Sequence, residues 1–328
     1  MGRVAIVFTG GTISTLPDQA AGGNLPVLDG AQILARSPEV AQIAQVETID
    51  WGLVPASHLR FAQLIDIAAV VDRALARPEI DGAVVVQGTD TIEETAYAYE
   101  LLVRSGKPLF VTGAMRDAAA PDFDGPRNLA DAVRCALAPE LRGSGVQVVL
   151  NGLVVAARDV VKSHSTALDT FKPRDGAATG RVVGGRVLFD GEPRPRRRLP
   201  STPPAAVEDV HLVTAVTGMD GAIVRALRPS RPAGLVVAAT GSGNTSPDLL
   251  AAASELTSDG TVVALSTRCP SGTVAPMYAF AGGGARWQQA GALMSALDGP
   301  KTRVALALGL AAGLDRAALA ALLAGEPA

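Results

Sequence analysis

The sequence predicts an α/β protein, with a larger N-terminal domain on a mostly parallel, Rossmann-like sheet and a smaller C-terminal α/β domain. Two observations carry this. Apolar, β-branched runs such as VAIVF at 4–8 and AVVV at 83–86 alternate with segments whose apolar residues recur at helical spacing. Repeated strand–helix–strand units imply parallel strands with helices on both faces. The alternation also breaks once, at EPRPRRRLPSTPPAAVED, where a proline-rich polar stretch reads as an extended spacer. The expected division is an N-terminal α/β domain over 1–193, a Pro/Arg-rich linker over 194–209 and a second α/β domain over 210–328.

In chain order the pattern predicts strand 3–8, helix 61–76, strand 82–87, helix 92–105, strand 108–112, helix 126–138 and strand 146–150. After the linker it predicts strand 211–216, helix 219–227, strand 234–239, helix 247–256 and strand 261–266. Helices over 286–297, 301–311 and 315–324 then close the chain. The alanine-rich end, LALGLAAGLDRAALAALLAG, keeps helical spacing and reads as packed helix rather than low complexity.

Composition narrows the function classes. With 328 residues, 48% hydrophobic and 19% charged, the chain can bury a large core, and no apolar run is long enough to cross a bilayer. A net charge of −3 and 4% aromatic residues argue against a nucleic-acid partner. The basic run from Arg194 to Arg198 lies among prolines and reads as a solvated spacer. The start, MGRVAIVF, runs directly into a strand without the segments of a signal peptide, so a cytoplasmic location is expected. Cys135 and Cys269 lack metal or redox spacing and read as free thiols.

Three strand ends carry residues suited to chemistry. The first strand ends in Thr9-Gly10-Gly11-Thr12, the second in Gln87-Gly88-Thr89-Asp90-Thr91, the third in Thr112-Gly113-Ala114-Met115-Arg116. In a parallel sheet these turns share the carboxyl edge, where open α/β sheets place their sites. Thr91 with Glu94 reads as a capping box opening the next helix, which leaves Thr89 and Asp90 facing Thr12. A threonine nucleophile needs a base. His58, His164 and His211 fall at none of these turns and read as surface or core residues. Lys162, which follows an apolar, charge-poor strand region with Arg158 and Asp159, is the better candidate, because a partly buried lysine can give up its proton and accept one from a hydroxyl. Alone it would read as a surface lysine. A phosphate-binding turn is a competing reading of Gly10-Gly11, but TGGT is not GxGxxG and no P-loop lysine follows.

TGGTIS at 9–14, QGTDTIEETAY at 87–97, TGAMR at 112–116 with DGPRNLADAV at 124–133, and ARDVVKSHSTALDTFKP at 157–173 together resemble the bacterial-type L-asparaginases, the asparaginase/glutaminase amidohydrolases. GSGN at 241–244, RCPSG at 268–272 and DGPKTRVALALGL at 298–310 look like the family's C-terminal domain, so the resemblance spans nearly the whole chain. It implies that Thr12 attacks a side-chain amide and forms an acyl-enzyme with loss of ammonia. It further implies that Lys162 activates Thr89, that Asp90 holds the substrate ammonium, and that Ala114 lines the amide side of the pocket. Gly11 and Gly88 would offer backbone N–H groups to the oxyanion. Neither metal nor organic cofactor is implied. The expected partners are a small amide and further copies of the chain, in a dimer or tetramer.

The match fails at three places. Where the family's lid carries a tyrosine, GGNLPVLDG has Leu25. Where the family places a serine for the substrate α-carboxylate, Pro55-Ala56-Ser57-His58-Leu59 offers Ala56 in direct alignment, or Ser57 after a shift of one residue. The acidic residue of the family's second domain is missing from SGTVAPMYAFAGGG, and Ser246 stands near the position of a usual asparagine. A pocket that loses polar partners discriminates differently. Three readings therefore stay open: an L-asparaginase, a same-mechanism amidase for glutamine, a D-amino-acid amide or another small amide, and a non-catalytic amino-acid-binding homologue.

Overall fold

The structure, a computed structural model, describes residues 1–190 and 197–325. The boundary expected at 193/194 and linker residues 194–196 lie outside the described residues. The chain divides into two compact units, one up to Arg198 and one from Leu199 onward.

In the first unit the strands are β1 (Arg3–Phe8), β2 (Thr15–Asp18), β3 (Gly23–Pro26), β4 (Gln45–Asp50), β5 (Gly82–Val86) and β6 (Leu109–Thr112). There follow β7 (Val146–Leu150), β8 (Leu153–Ala156), β9 (Val160–Lys162), β10 (Phe171–Pro173), β11 (Gly180–Val183) and β12 (Arg186–Phe189). The helices are α1 (Gly30–Ala35), α2 (Glu39–Ile43), α3 (Phe61–Leu75), α4 (Ile92–Leu102) and α5 (Gly125–Leu137). Eight strands form one sheet in the order β12-β11-β8-β7-β6-β5-β1-β4. From β4 to β7 all neighbours are parallel, and from β7 to β12 they are antiparallel.

The chain leaves β1 for β4 on one side, then crosses to β5 on the other. That reversal opens a crevice beyond the carboxyl ends of β1 and β5, the place such sheets offer a ligand. Residues Val4–Phe8 and all of β5 are buried, as expected of strands covered on both faces. Strand β4 is missing from the predicted elements because this edge strand mixes exposed and half-buried residues, with only Val46 and Ile49 apolar and neither alternation nor an apolar run to mark it.

The second unit holds β13 (Val210–Thr214), β14 (Gly234–Ala239), β15 (Val262–Thr267) and β16 (Leu293–Asp298), parallel and paired in chain order. Its helices are α6 (Ala222–Arg225), α7 (Pro247–Ser258), α8 (Gly284–Gln289), α9 (Gly299–Ala311) and α10 (Arg316–Ala324). The helix expected over 286–297 is corrected. It stops at Gln289, Gly291 takes φ +88°, and LMSALD then alternates buried and half-buried residues beside β15. Six residues of mixed polarity fit either period, and the open edge of β15 selects the strand. The helix expected over 219–227 shrinks to α6, between Gly221 and the turn Arg228–Ser230 that Pro229 enters. No helix among the described residues is long and apolar enough to cross a membrane.

Cys135 is buried in α5 and Cys269 is half-buried after β15; neither is in a disulfide. Burial, with the nearby Asp131 carboxylate, pushes the Cys135 thiol up to about 12. At pH 8 such a thiol is ionised in only about one molecule in ten thousand, and the thiolate is the reactive form. A disulfide reagent at pH 8 is expected to label Cys269 in the native protein and Cys135 only after denaturant is added, read by absorbance and by mass mapping.

Candidate active site

The three turns expected at one edge meet through glycines. Gly11 takes φ +93°, and a methyl placed on it would overlap the N and Cα of Gly88. A methyl on Gly88 would lie 2.9 Å from the Ala56 Cβ, and one on Gly113 would overlap the Gln87 carbonyl. Backbones from the ends of β1, β5 and β6 thus touch directly, which only residues without a Cβ permit. Thr12 opens a single helical turn, Thr12–Ser14, fixed by the Ser14 N–H and hydroxyl, which donate to the Gly11 carbonyl at 2.9 and 2.6 Å. Its side chain is half-buried, and its hydroxyl makes no hydrogen bond among the described residues.

Thr89 and Asp90 form the turn Thr89–Thr91 that leads into α4. Thr89 is buried, whereas Asp90 is exposed. Lys162, at the end of β9, brings them together: its Nζ donates to Thr89 Oγ1 at 3.0 Å and to Asp90 Oδ1 at 2.9 Å. The Lys162 side chain is 13% exposed and that of Asp90 69%, so the ammonium is covered and its counter-ion open to a ligand. The Lys162 backbone N–H donates to Glu93 Oε2 at 2.8 Å. Lys162 thus joins the turn that carries Thr89 and Asp90, and that turn's Gly88 packs against Gly11, next to Thr12.

The capping box expected from Thr91 and Glu94 does not form. Thr91 occupies the N-cap without a side-chain bond to the helix, and its hydroxyl donates to the Ala56 carbonyl at 3.2 Å. The hydroxyl donates to a tertiary carbonyl instead of accepting a helix N–H, tying the turn Ala56–His58 to the turn Thr89–Thr91. Ala56 is buried against Gly88, while Ser57 and His58 are exposed. The segment thus reaches the site, but the residue seated against Gly88 is the alanine.

Ala114 is fully buried in the third turn. Two residues absent from the expected set hold that turn: the Asp124 carboxylate accepts the N–H groups of Met115 and Arg116 at 2.9–3.1 Å. Buried Asn128 donates to the Gly113 carbonyl at 3.0 Å and accepts the Asn151 N–H at 2.9 Å. Their signal in the sequence is DGPRN opening α5, which reads locally as a helix start and hides the longer-range cradle.

Two histidines carry local hydrogen bonds: His164 Nδ1 accepts the N–H groups of Thr166 and Ala167, and His211 pairs with Asp209. Among the described residues no group of His, Cys, Asp and Glu side chains is placed to hold a metal ion.

Residues 3–195 match the model of the asparaginase N-terminal domain, and 209–323 match that of the glutaminase/asparaginase C-terminal domain. The chain belongs to the asparaginase family. Members are hydrolases acting on amide carbon–nitrogen bonds. The chain is 34% identical to a probable L-asparaginase of Deinococcus radiodurans, covering 96% of this chain and 94% of that protein. It is 32% identical to L-asparaginase 2 of Bacillus subtilis, covering 85% and 76%. The crystal structure of a probable cytoplasmic L-asparaginase from Campylobacter jejuni superposes with a TM-score of 0.84 at 28% identity, over 94% of this chain and 95% of that one.

Against this asparaginase background, Leu25 stands on β3 of the β2–β3 hairpin and is 41% exposed. The only tyrosines of the first unit, Tyr97 and Tyr99, are fully buried in α4. Ser246 is the N-cap of α7: its hydroxyl accepts the Leu249 N–H and donates to the Met219 carbonyl at 2.8 Å, so it serves the helix.

Gly11→Ala is expected to destabilise the first unit by about 2 kcal/mol or more, from positive-φ strain plus the overlap with Gly88. Gly22→Ala, also at positive φ but with nothing within 4 Å, should cost about 1 kcal/mol or less. Denaturant midpoints of the two variants check this order.

Proposed function

We propose that the chain is an L-asparaginase-type amidohydrolase with Thr12 as nucleophile, converting L-asparagine to L-aspartate and ammonia through an acyl-enzyme. The observation that carries the reading is Lys162 Nζ within hydrogen-bond distance of both Thr89 and Asp90, beside the turn that begins with Thr12. Thr12 Oγ1 attacks the side-chain amide carbonyl, and its proton passes to the leaving nitrogen, which departs as ammonia. Water then adds to the ester carbonyl, one of its protons passes to Thr12 Oγ1 as the ester C–O bond breaks, and the carboxylate product is released with the second proton lost to solvent. Thr89 and Lys162 relay protons in these steps, because a lysine–hydroxyl pair can pass a proton without a histidine. Asp90 holds the substrate ammonium, Gly11 and Gly88 supply N–H groups to the oxyanion, and Ala114 lines the amide side. Ser57 sits at the edge as the candidate carboxylate contact.

The roles belong to an N-terminal catalytic domain over 1–193, with a linker over 194–209 and a second domain over 210–328. The proposed reaction uses no cofactor. A homo-oligomer, dimer or tetramer, and a cytoplasmic location complete the reading; the Campylobacter relative is described as cytoplasmic.

Ala56 against Gly88 and the exposed Leu25 favour a second reading with the same mechanism, in which glutamine, a D-amino-acid amide or another small amide is preferred. Ammonia release from L-asparagine, L-glutamine, their D-forms and simple amides separates the two. L-Asparagine is expected to lead the panel, and Thr12→Ala to lose at least about 1000-fold in kcat. Turnover retained in Thr12→Ala would remove the nucleophile assignment, and asparagine binding without any turnover would favour a non-catalytic homologue.

A further inference from the structure

Strands β9 and β10 form a two-stranded sheet of their own, hydrogen-bonded to no strand of the eight-stranded sheet among the described residues. The place of Lys162 relative to Thr89 is therefore not set by the ladder that aligns β1, β5 and β6. Within this small sheet, the Ser163 N–H donates to the Thr170 carbonyl at 2.8 Å, toward β10. Because donors alternate sides along an antiparallel strand, the Lys162 N–H points to the open edge. There it meets Glu93 Oε2 at 2.8 Å.

Glu93 lies in the first turn of α4, directly after the turn that carries Thr89 and Asp90. A carboxylate in a helix's first turn is favoured by the helix dipole, and an ionised acceptor makes the bond to the N–H stronger than a neutral one. The lysine side chain is four carbons long and freely rotating, so its ammonium is delivered reliably only if its Cα is held. One helix start thus places the hydroxyl of Thr89 and fixes the strand that brings the ammonium to it.

We propose that Glu93 is a positioning residue for the amide hydrolysis, acting through the backbone of Lys162. The inference rests on the role given to Lys162 above. A displacement of about 1 Å at a reacting group can cost on the order of 100-fold in rate. Loss of the Glu93 carboxylate leaves an unpaired N–H on an open strand edge and frees Lys162 to move away from Thr89. An acceptor of equal reach without the charge restores the tether.

The test compares Glu93→Ala and Glu93→Gln with wild type in steady-state ammonia release and in hydrogen–deuterium exchange at the Lys162 amide. Glu93→Ala is expected to lower kcat by roughly 10- to 100-fold with KM within about threefold of wild type. Glu93→Gln, which keeps an oxygen at the same distance, is expected to recover kcat to within about fivefold. Exchange at Lys162 should quicken in the alanine variant and stay near wild type in the glutamine variant. Unchanged kcat in Glu93→Ala, an equal loss in both variants, a change confined to KM, or unaltered exchange at Lys162 overturns the proposal. Should the alanine variant not fold, Glu93→Asp, one methylene shorter, is read in the same assays and is expected to show the alanine behaviour. Wild-type protein that releases ammonia from no amide would defeat the functional reading, whereas the exchange measurement needs no turnover and still decides the tether.

Discussion

The candidate site depends on backbones that approach one another without side chains between them. Gly11 against Gly88, and Gly113 against the Gln87 carbonyl, let the turns after β1, β5 and β6 pack as one layer. A Cβ at any of these points would push the turns apart and separate Thr12 from Thr89. The strands beneath can tolerate such contact because they are buried on both faces and locked in a parallel register, Val4–Phe8 against Gly82–Val86. Rigid strands give the hydroxyls fixed origins, and the glycines bring those origins close.

On this frame the charged groups are arranged from outside the sheet. Lys162 arrives on β9, which takes no part in the main ladder, and reaches Thr89 and Asp90 with its ammonium. The pair is uneven in exposure, with the ammonium covered and the carboxylate open. Removing a covered ammonium leaves its buried hydroxyl partner without a donor, whereas an open carboxylate is free to take an incoming cation. The third turn is held differently again, by the Asp124 carboxylate and the Asn128 amide, so that each wall of the crevice has its own support.

Most of this frame was legible in the sequence, because buried parallel strands read as apolar β-branched runs and their ends are marked by glycine. The segments TGGT, QGTDT and TGAMR could be assigned to one edge for that reason alone. The signal weakened where burial is partial. The edge strand β4 passed unnoticed, and β16 was read as the end of a helix, since LMSALD fits either period. Thr91 and Glu94 had the spacing of a capping box, yet the nearby Ala56 carbonyl offered the hydroxyl a better partner. Asp124 was hidden because its partners, Met115 and Arg116, lie across a loop that no periodicity links to α5.

By itself the sequence determined the fold class and the family resemblance, and it marked Thr12, Thr89, Asp90 and Lys162 as candidates, since these depend on local pattern and on motifs in a fixed order. Tertiary structure alone decided which backbones touch, that Ala56 rather than Ser57 is seated against Gly88, and that Glu93 meets the Lys162 backbone. The reason is physical: periodicity fixes which face of an element is buried, but a hydrogen bond between segments about seventy residues apart follows only from how helix α4 and strand β9 come to lie side by side.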